Sequence, residues 1–252
     1  PAWRAAAESQ QASIEIQKTR RSTHDLGFVF FPSFGNAYRL TCNDAYRQVL
    51  LTAAGSLATR YNAVVGCIKT SWPTSASGEM KTIVDTLMNL EVLHLPAVLG
   101  ADVVTYNLTT SAVKSRGTAQ GYNDESTWAR GQAWAIYGFT MAFRYTGHAT
   151  LLQAARLTAD YWLSHVPVDE VPYWDFEAPN LTTQPRDSSA AAIAASGLLE
   201  LGQCDPDASR RQVYLAQAQA TLNSLSSSAY LAQGTPNKAI LLHGTSNKPK
   251  GM

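Results

Sequence analysis

The chain has 252 residues, 45% of them apolar, enough to bury a sizeable core in one large domain or two small ones. Its 20 Lys and Arg nearly balance 19 Asp and Glu, and no basic stripe interleaves with aromatics, so no nucleic-acid partner is implied. No stretch reaches the ~18 consecutive apolar residues of a membrane-spanning helix, which excludes a membrane partner of that kind.

Helical periodicity dominates along the chain, and no convincing alternating strand run or hairpin turn intervenes. Residues 2–20 are rich in Ala, Gln and Ser with few breakers. Residues 36–60 read as one amphipathic helix, and 79–95 as another that stops before Pro96. Residues 126–146 and 149–164 read as a helix pair around Gly147. A helix over 187–201 starts at Asp187, a good N-cap with two serines behind it, and 207–226 forms a last amphipathic helix. The long loops are 70–78, 96–125 and 165–186.

Segments starting near residues 25, 83, 127 and 187 are apolar nearly all round or Ala-rich, and the segments between them are amphipathic. A helix apolar on every side is buried, so the alternation points to inner helices wrapped by outer ones. An irregular all-α domain would give the same periodicity. The expectation is a single all-α domain over residues 1–252.

Asp85 carries the most information. In TIVDTLMNLEVL apolar residues cover most sides of a helix, and Asp85 shares one face with Asn89 four residues on. Burial of that kind raises a carboxyl pKa, which suits general acid–base work. A buried Asp bonded to a neighbouring helix end fits the same pattern. Asp25, between His24 and Gly27, reads either as an N-cap or as a second carboxylate at the mouth of the inner helices. In GYNDESTWARGQAWAIYGF, Trp128 and Gln132 share one face, and Arg130 and Trp134 another. Arg beside aromatics suits a sugar carboxylate, with forked hydrogen bonds and ring stacking, but an Arg satisfying helix ends is equally consistent. Tyr173-Trp174-Asp175 offers a further ring in an apolar loop.

The five histidines show no metal-ligand spacing, Ser188-Ser189 lacks the setting of a nucleophile elbow, and there is no Gly-rich phosphate loop, so neither a metal nor a cofactor is expected. Cys42, Cys67 and Cys204 form no disulfide framework and read as buried thiols. The first residues, PAWRAAAESQQ, carry no leader pattern. Two sequons, at Asn107 and Asn180, would matter only in a secretory setting, so the location is extracellular if they are used and otherwise cytoplasmic.

Four segments, THDLGFVFFPSFGNAYRLT, IVDTLMNLEVL, GYNDESTWARGQAWAIYGF and VPYWDFEAPN…PRDSSAAAIAASGLLEL, together resemble in order the unsaturated glucuronyl hydrolases, family 88 of the glycoside hydrolases. The resemblance spans roughly residues 10–250. It implies an (α/α)6 barrel acting on oligosaccharides left by polysaccharide lyases, which carry a 4,5-unsaturated uronic acid at the non-reducing end. The residue matching Asp85 would protonate the vinyl ether and then activate water, and the one matching Asp25 would hold ring hydroxyls. Gln132, Arg130, Trp128, Trp134, Trp174, Asn89 and His24 would line or flank the cleft. The tail LLHGTSNKPKG resembles a loop that closes over substrate, adding Ser246 and Lys248. Family members are longer, so the chain reads as truncated at both ends with an incomplete barrel. The alternatives are an unsaturated rhamnogalacturonyl hydrolase acting on pectin fragments, or an inactive sugar-binding remnant. The oligomeric state is not legible.

Overall fold

The structure is a computed structural model that describes residues 2–74, 76–89 and 103–251. The chain divides into two compact units, residues 1–98 with 104–115 and residues 99–103 with 116–252.

The first unit opens with α1 (Ala2–Ile14), followed by a 3-10 turn. α2 (Leu26–Phe30) runs through a π-helical turn at Phe31–Gly35 into α3 (Asn36–Thr41). The single helix expected over 36–60 is broken. Cys42 takes up a left-handed conformation at φ 53°, and α4 (Asp44–Ala58) restarts behind Asn43, whose Oδ1 accepts the Ala45 amide. Asn is a strong N-cap, so the break is written in the sequence as Thr-Cys-Asn-Asp. Phe30, Phe34, Val49, Ala53 and Leu57 are buried between α2, the π turn and α4.

The expected absence of strands is also overturned, because five short ones form among the described residues. β1 (Tyr61–Asn62) and β2 (Cys67–Ile68) pair antiparallel, and β3 (Glu79–Ile83), β4 (Val103–Asn107) and β5 (Val113–Gly117) make a three-stranded sheet in that order. The helix expected over 79–95 is therefore a strand, a turn at Val84–Asp85 and one helical turn, α5 (Thr86–Asn89). Its remainder, 90–95, lies outside the described residues. Thr82, Ile83 and Val84 are β-branched and lose χ1 freedom in a helix, and Met80 and Thr82 are the buried alternate positions of β3. The apolar residues that look like a helix buried all round are instead the inner face of a strand followed by a short buried turn. β4 and β5 likewise occupy part of the stretch expected as a loop over 96–125.

The second unit keeps closely to the expected helices: α6 (Ala129–Thr146), α7 (Ala149–His165), α8 (Ser188–Cys204) and α9 (Ala208–Leu225). α6 packs on α8, with α7 against α6 and α9 against α8, so the two apolar helices are inside and the amphipathic ones outside. Ala133, Ile136, Phe139 and Met141 of α6 and Leu198 and Leu201 of α8 are all buried. The close approach rests on Gly197, where a Cβ would lie 2.8 Å from the Tyr137 backbone. Asp187 caps α8 through Oδ1, accepting from the Ser189 and Ala190 amides, and Asp207 caps α9 in the same way.

Of the three free cysteines only Cys67 is buried; Cys204 is half-buried, and Cys42, at the break before α4, is exposed. No helix among the described residues is long and apolar enough to cross a membrane.

Candidate active site

The expected site residues divide between the two units. His24, Asp25, Asp85 and Asn89 belong to the first; Trp128, Arg130, Gln132, Trp134, Trp174, Ser246 and Lys248 belong to the second.

In the first unit Asp25 stands at the start of α2, but its carboxylate caps nothing. Thr23 Oγ1 donates to Asp25 Oδ2 at 2.9 Å and accepts the Asp25 amide at 3.1 Å, which folds the segment back on itself. His24 Nε2 faces the other oxygen, Oδ1, at 3.3 Å. The Asp25 side chain is 47% exposed while the His24 ring is 4% exposed, so a buried imidazole backs an accessible carboxylate.

The other ring nitrogen of His24 is held by segment 70–71. The Ser71 amide donates to Nδ1 at 3.1 Å, and the hydroxyls of Ser71 and Thr70 lie at 3.1 and 3.4 Å from it. Arg60 ties that segment to the one carrying His24. Its Nε donates to the Lys69 carbonyl, one Nη to that of Thr70 and the other to that of Arg21. Burial pulls the His24 pKa below the usual histidine value; the Asp25 charge pushes the other way, and the Arg60 charge adds to the lowering. Burial likewise lowers the Arg60 pKa.

Asp85 lies half-buried in the turn between β3 and α5, between buried Val84 and Thr86, and not inside a helix as expected. The four-residue spacing to Asn89 still operates, since Asn89 Nδ2 donates to the Asp85 carbonyl at 3.2 Å. Asn89 Oδ1 accepts the Phe28 amide at 3.0 Å, so this fully buried amide ties α5 to α2. The helices touch at Gly27, where a Cβ would sit 2.3 Å from the Asn89 Cα. Only glycine fits that crossing, and the crossing joins the element carrying Asp25 to the element carrying Asp85. Asn89, expected among substrate contacts, is placed as the pin between them.

In the second unit Trp128 precedes α6 and packs with Trp174, Ala178 and Leu181. Trp174 Nε1 donates to Gln184 Oε1 at 3.1 Å. The Arg130 guanidinium lies over the Trp128 ring at 4.8 Å, which matches the expected Arg–aromatic pairing. Its hydrogen bonds, however, go to protein groups. Nη1 donates to Asp187 Oδ2 at 2.8 Å and to the Thr245 carbonyl, and Nη2 donates to Gln120 Oε1 at 3.1 Å and to the Ser246 carbonyl at 2.6 Å. Arg130 therefore anchors the tail loop over the start of α8, where Ser188 also donates to the carbonyls of His243 and Leu242. Ser246 and Lys248 stand exposed on that loop. Gln132 Nε2 donates to the Thr158 carbonyl and joins α6 to α7; Trp134 is half-buried on α6.

Sequence reading missed Thr23, Arg60 and Ser71; Ser71 meets His24 across 47 residues and Arg60 meets Arg21 across 39, separations that leave no periodic trace. It also passed over Asp175, fully buried, which accepts from the Tyr122 amide, the Ser126 hydroxyl and the Glu177 amide. Its signal was available: a carboxylate set between aromatic Trp174 and Phe176.

No family model matches the chain. An unsaturated glucuronyl hydrolase of Formosa agariphila is 36% identical over 280 residues, covering 98% of this chain and 69% of the relative. The chain belongs to the unsaturated glucuronyl hydrolases. Among solved structures, the unsaturated glucuronyl hydrolase of Bacillus sp. GL1, described as responsible for the degradation of glycosaminoglycan, matches with a TM-score of 0.90 at 30% identity. That match takes in all of this chain and 75% of the other. A variant structure of such an enzyme with dGlcA-Glc-Rha-Glc matches with the same TM-score, identity and coverage. Membership in the unsaturated glucuronyl hydrolases also bears out the fold class, all-α of the α/α-barrel kind, with the short strands as a local departure.

Proposed function

We propose that this chain cleaves the terminal 4,5-unsaturated glucuronic acid residue from glycosaminoglycan-type oligosaccharides left by polysaccharide lyases, by hydrating its vinyl ether, and that residues 1–252 belong to one catalytic domain. The observation that carries the reading is the crossing of α2 and α5 at Gly27 and Asn89, which couples the segment bearing Asp25 to the one bearing Asp85.

Asp85 gives its proton to C4 of the unsaturated sugar, and the electron pair of the C4–C5 bond forms the new C–H bond. The cation at C5 is shared with the ring oxygen. Water adds at C5 and returns a proton to Asp85, so the carboxyl is restored and one water has been consumed. The hemiketal at C5 opens, the C1 hemiacetal so formed collapses, and the remaining sugar leaves. Asp85 stands half-buried in the turn between buried Val84 and Thr86, and from there it would act as the proton donor. Asp25, more exposed and backed by His24, accepts hydrogen bonds from ring hydroxyls. In the second unit, Trp128, Trp134, Trp174 and Gln132 are further residues proposed to meet sugar, with Ser246 and Lys248 on the loop that Arg130 anchors.

The test is the loss of alkene absorbance from unsaturated disaccharides of glycosaminoglycan and pectin origin. Turnover of the former with little of the latter supports the reading. Binding by calorimetry without turnover would instead make the chain a sugar-binding remnant.

A further inference from the structure

The buried ring of His24 was expected to touch substrate, yet it has almost no surface to offer: 4% of the side chain is exposed. Its surroundings decide which nitrogen carries the proton. A backbone N–H can only donate, so the Ser71 amide at 3.1 Å makes Nδ1 an acceptor. The Ser71 and Thr70 hydroxyls beside the same nitrogen are free to donate to it as well. The ring is then neutral with its hydrogen on Nε2, the nitrogen that faces Asp25 Oδ1 at 3.3 Å.

We infer that His24 is a positioning residue, locked by segment 69–71 as the neutral Nε2–H tautomer, and that it orients the Asp25 carboxylate instead of binding sugar. The inference rests on the proposed vinyl-ether hydration for its catalytic meaning. Its structural content stands on the hydrogen bonds alone.

The lock extends one layer further out. Arg60 holds the carbonyls of Lys69 and Thr70 and that of Arg21, so it ties segment 69–71 to the segment that carries His24. The charged groups facing the ring are Asp25 and Arg60, of opposite sign. With Thr23 holding Oδ2 from the other side, both Asp25 oxygens are fixed in direction by groups that are themselves fixed. Misplacement of a reacting or binding group by about 1 Å can cost on the order of a hundredfold in rate, which is the scale of effect such a support controls.

Two measurements test this on the full chain. Long-range proton–nitrogen spectra of uniformly labelled protein, with His24 assigned by the signal lost in His24→Gln, should show a neutral ring protonated at Nε2 at neutral pH. The Nε2 signal should shift in Asp25→Asn. A ring protonated at Nδ1, or an imidazolium at neutral pH, would overturn the inference whether or not the chain turns over any substrate. With an unsaturated disaccharide, His24→Leu should lower kcat on the order of a hundredfold with KM nearly unchanged. His24→Gln, which keeps a donor where Nε2 lies, should lose less than tenfold. A raised KM with unaltered kcat would make His24 a substrate contact, and equal losses in both variants would make it mere packing; either result overturns the proposal. Absence of turnover in the native chain counts against the functional reading, and the spectra still decide the placement of His24.

Discussion

Arg130 carries a full positive charge into a place that is 15% exposed, and its partner Asp187 is completely buried. Such a pair contributes little net stability while intact, but removing one member leaves the other charge stranded. Arg130→Met should therefore destabilise the fold by about 3 kcal/mol, the lower end of the range for a broken buried pair, because Asp187 keeps its cap bonds to α8. The check is the urea midpoint at unchanged slope. A change within ~0.5 kcal/mol, ordinary for a surface substitution, would show that the tail loop does not depend on this anchor. The chemistry of Arg130 was legible in the sequence as an Arg among tryptophans. Its partner was not, because 57 residues separate it from Asp187 and more than a hundred from the tail loop.

At the scale of elements, legibility followed length. The four helices of the second unit could be read almost to the residue, since 17 or 18 residues of consistent periodicity outweigh local accidents. The same reading failed over 79–89. A short run of apolar residues fits a buried helix and a buried strand equally well, and the β-branched Thr82, Ile83 and Val84 tip it to a strand. Asp85 stands as a polar residue among apolar ones, but its setting is a turn after a strand. The Gly27–Asn89 crossing was invisible in sequence, where Gly27 looks like any loop glycine. It yields a direct prediction: Gly27→Ala puts a methyl group into the Asn89 backbone. Overpacking of that kind costs about 1–3 kcal/mol. Because it also pushes α2 from α5, turnover should fall by far more than the loss of folded protein explains. Circular dichroism melts beside disaccharide kinetics separate the two effects. Asp207→Ala, which deletes the α9 cap, should cost about 1 kcal/mol and leave turnover per folded molecule as it was.

For the whole molecule, buried Cys67 and Tyr230 and half-buried Tyr161 set a response to alkali. Burial pushes the Cys67 thiol up to about 11 and the Tyr161 and Tyr230 phenols up to about 12, with hydrogen bonds to Glu177 and Asp169 adding to the burial of the two tyrosines. In the unfolded chain these groups ionise at ordinary values, near 8.5 for a thiol and near 10 for a phenol. As pH rises past those values the unfolded state loses protons that the folded state keeps, so unfolding is favoured. Stability should therefore decline from about pH 9 to about pH 12. Urea midpoints across that range measure it, and a flat profile would mean that these side chains are hydrated in solution.

The central claim is that Asp85 protonates and hydrates an unsaturated uronyl sugar. It is tested most directly by following alkene absorbance of an unsaturated glycosaminoglycan disaccharide with the native chain and with Asp85→Asn, both folded by circular dichroism. The account predicts steady loss of the alkene with the native chain and none above background with the variant. Equal rates in the two, or an alkene left untouched by a folded native chain, would contradict it.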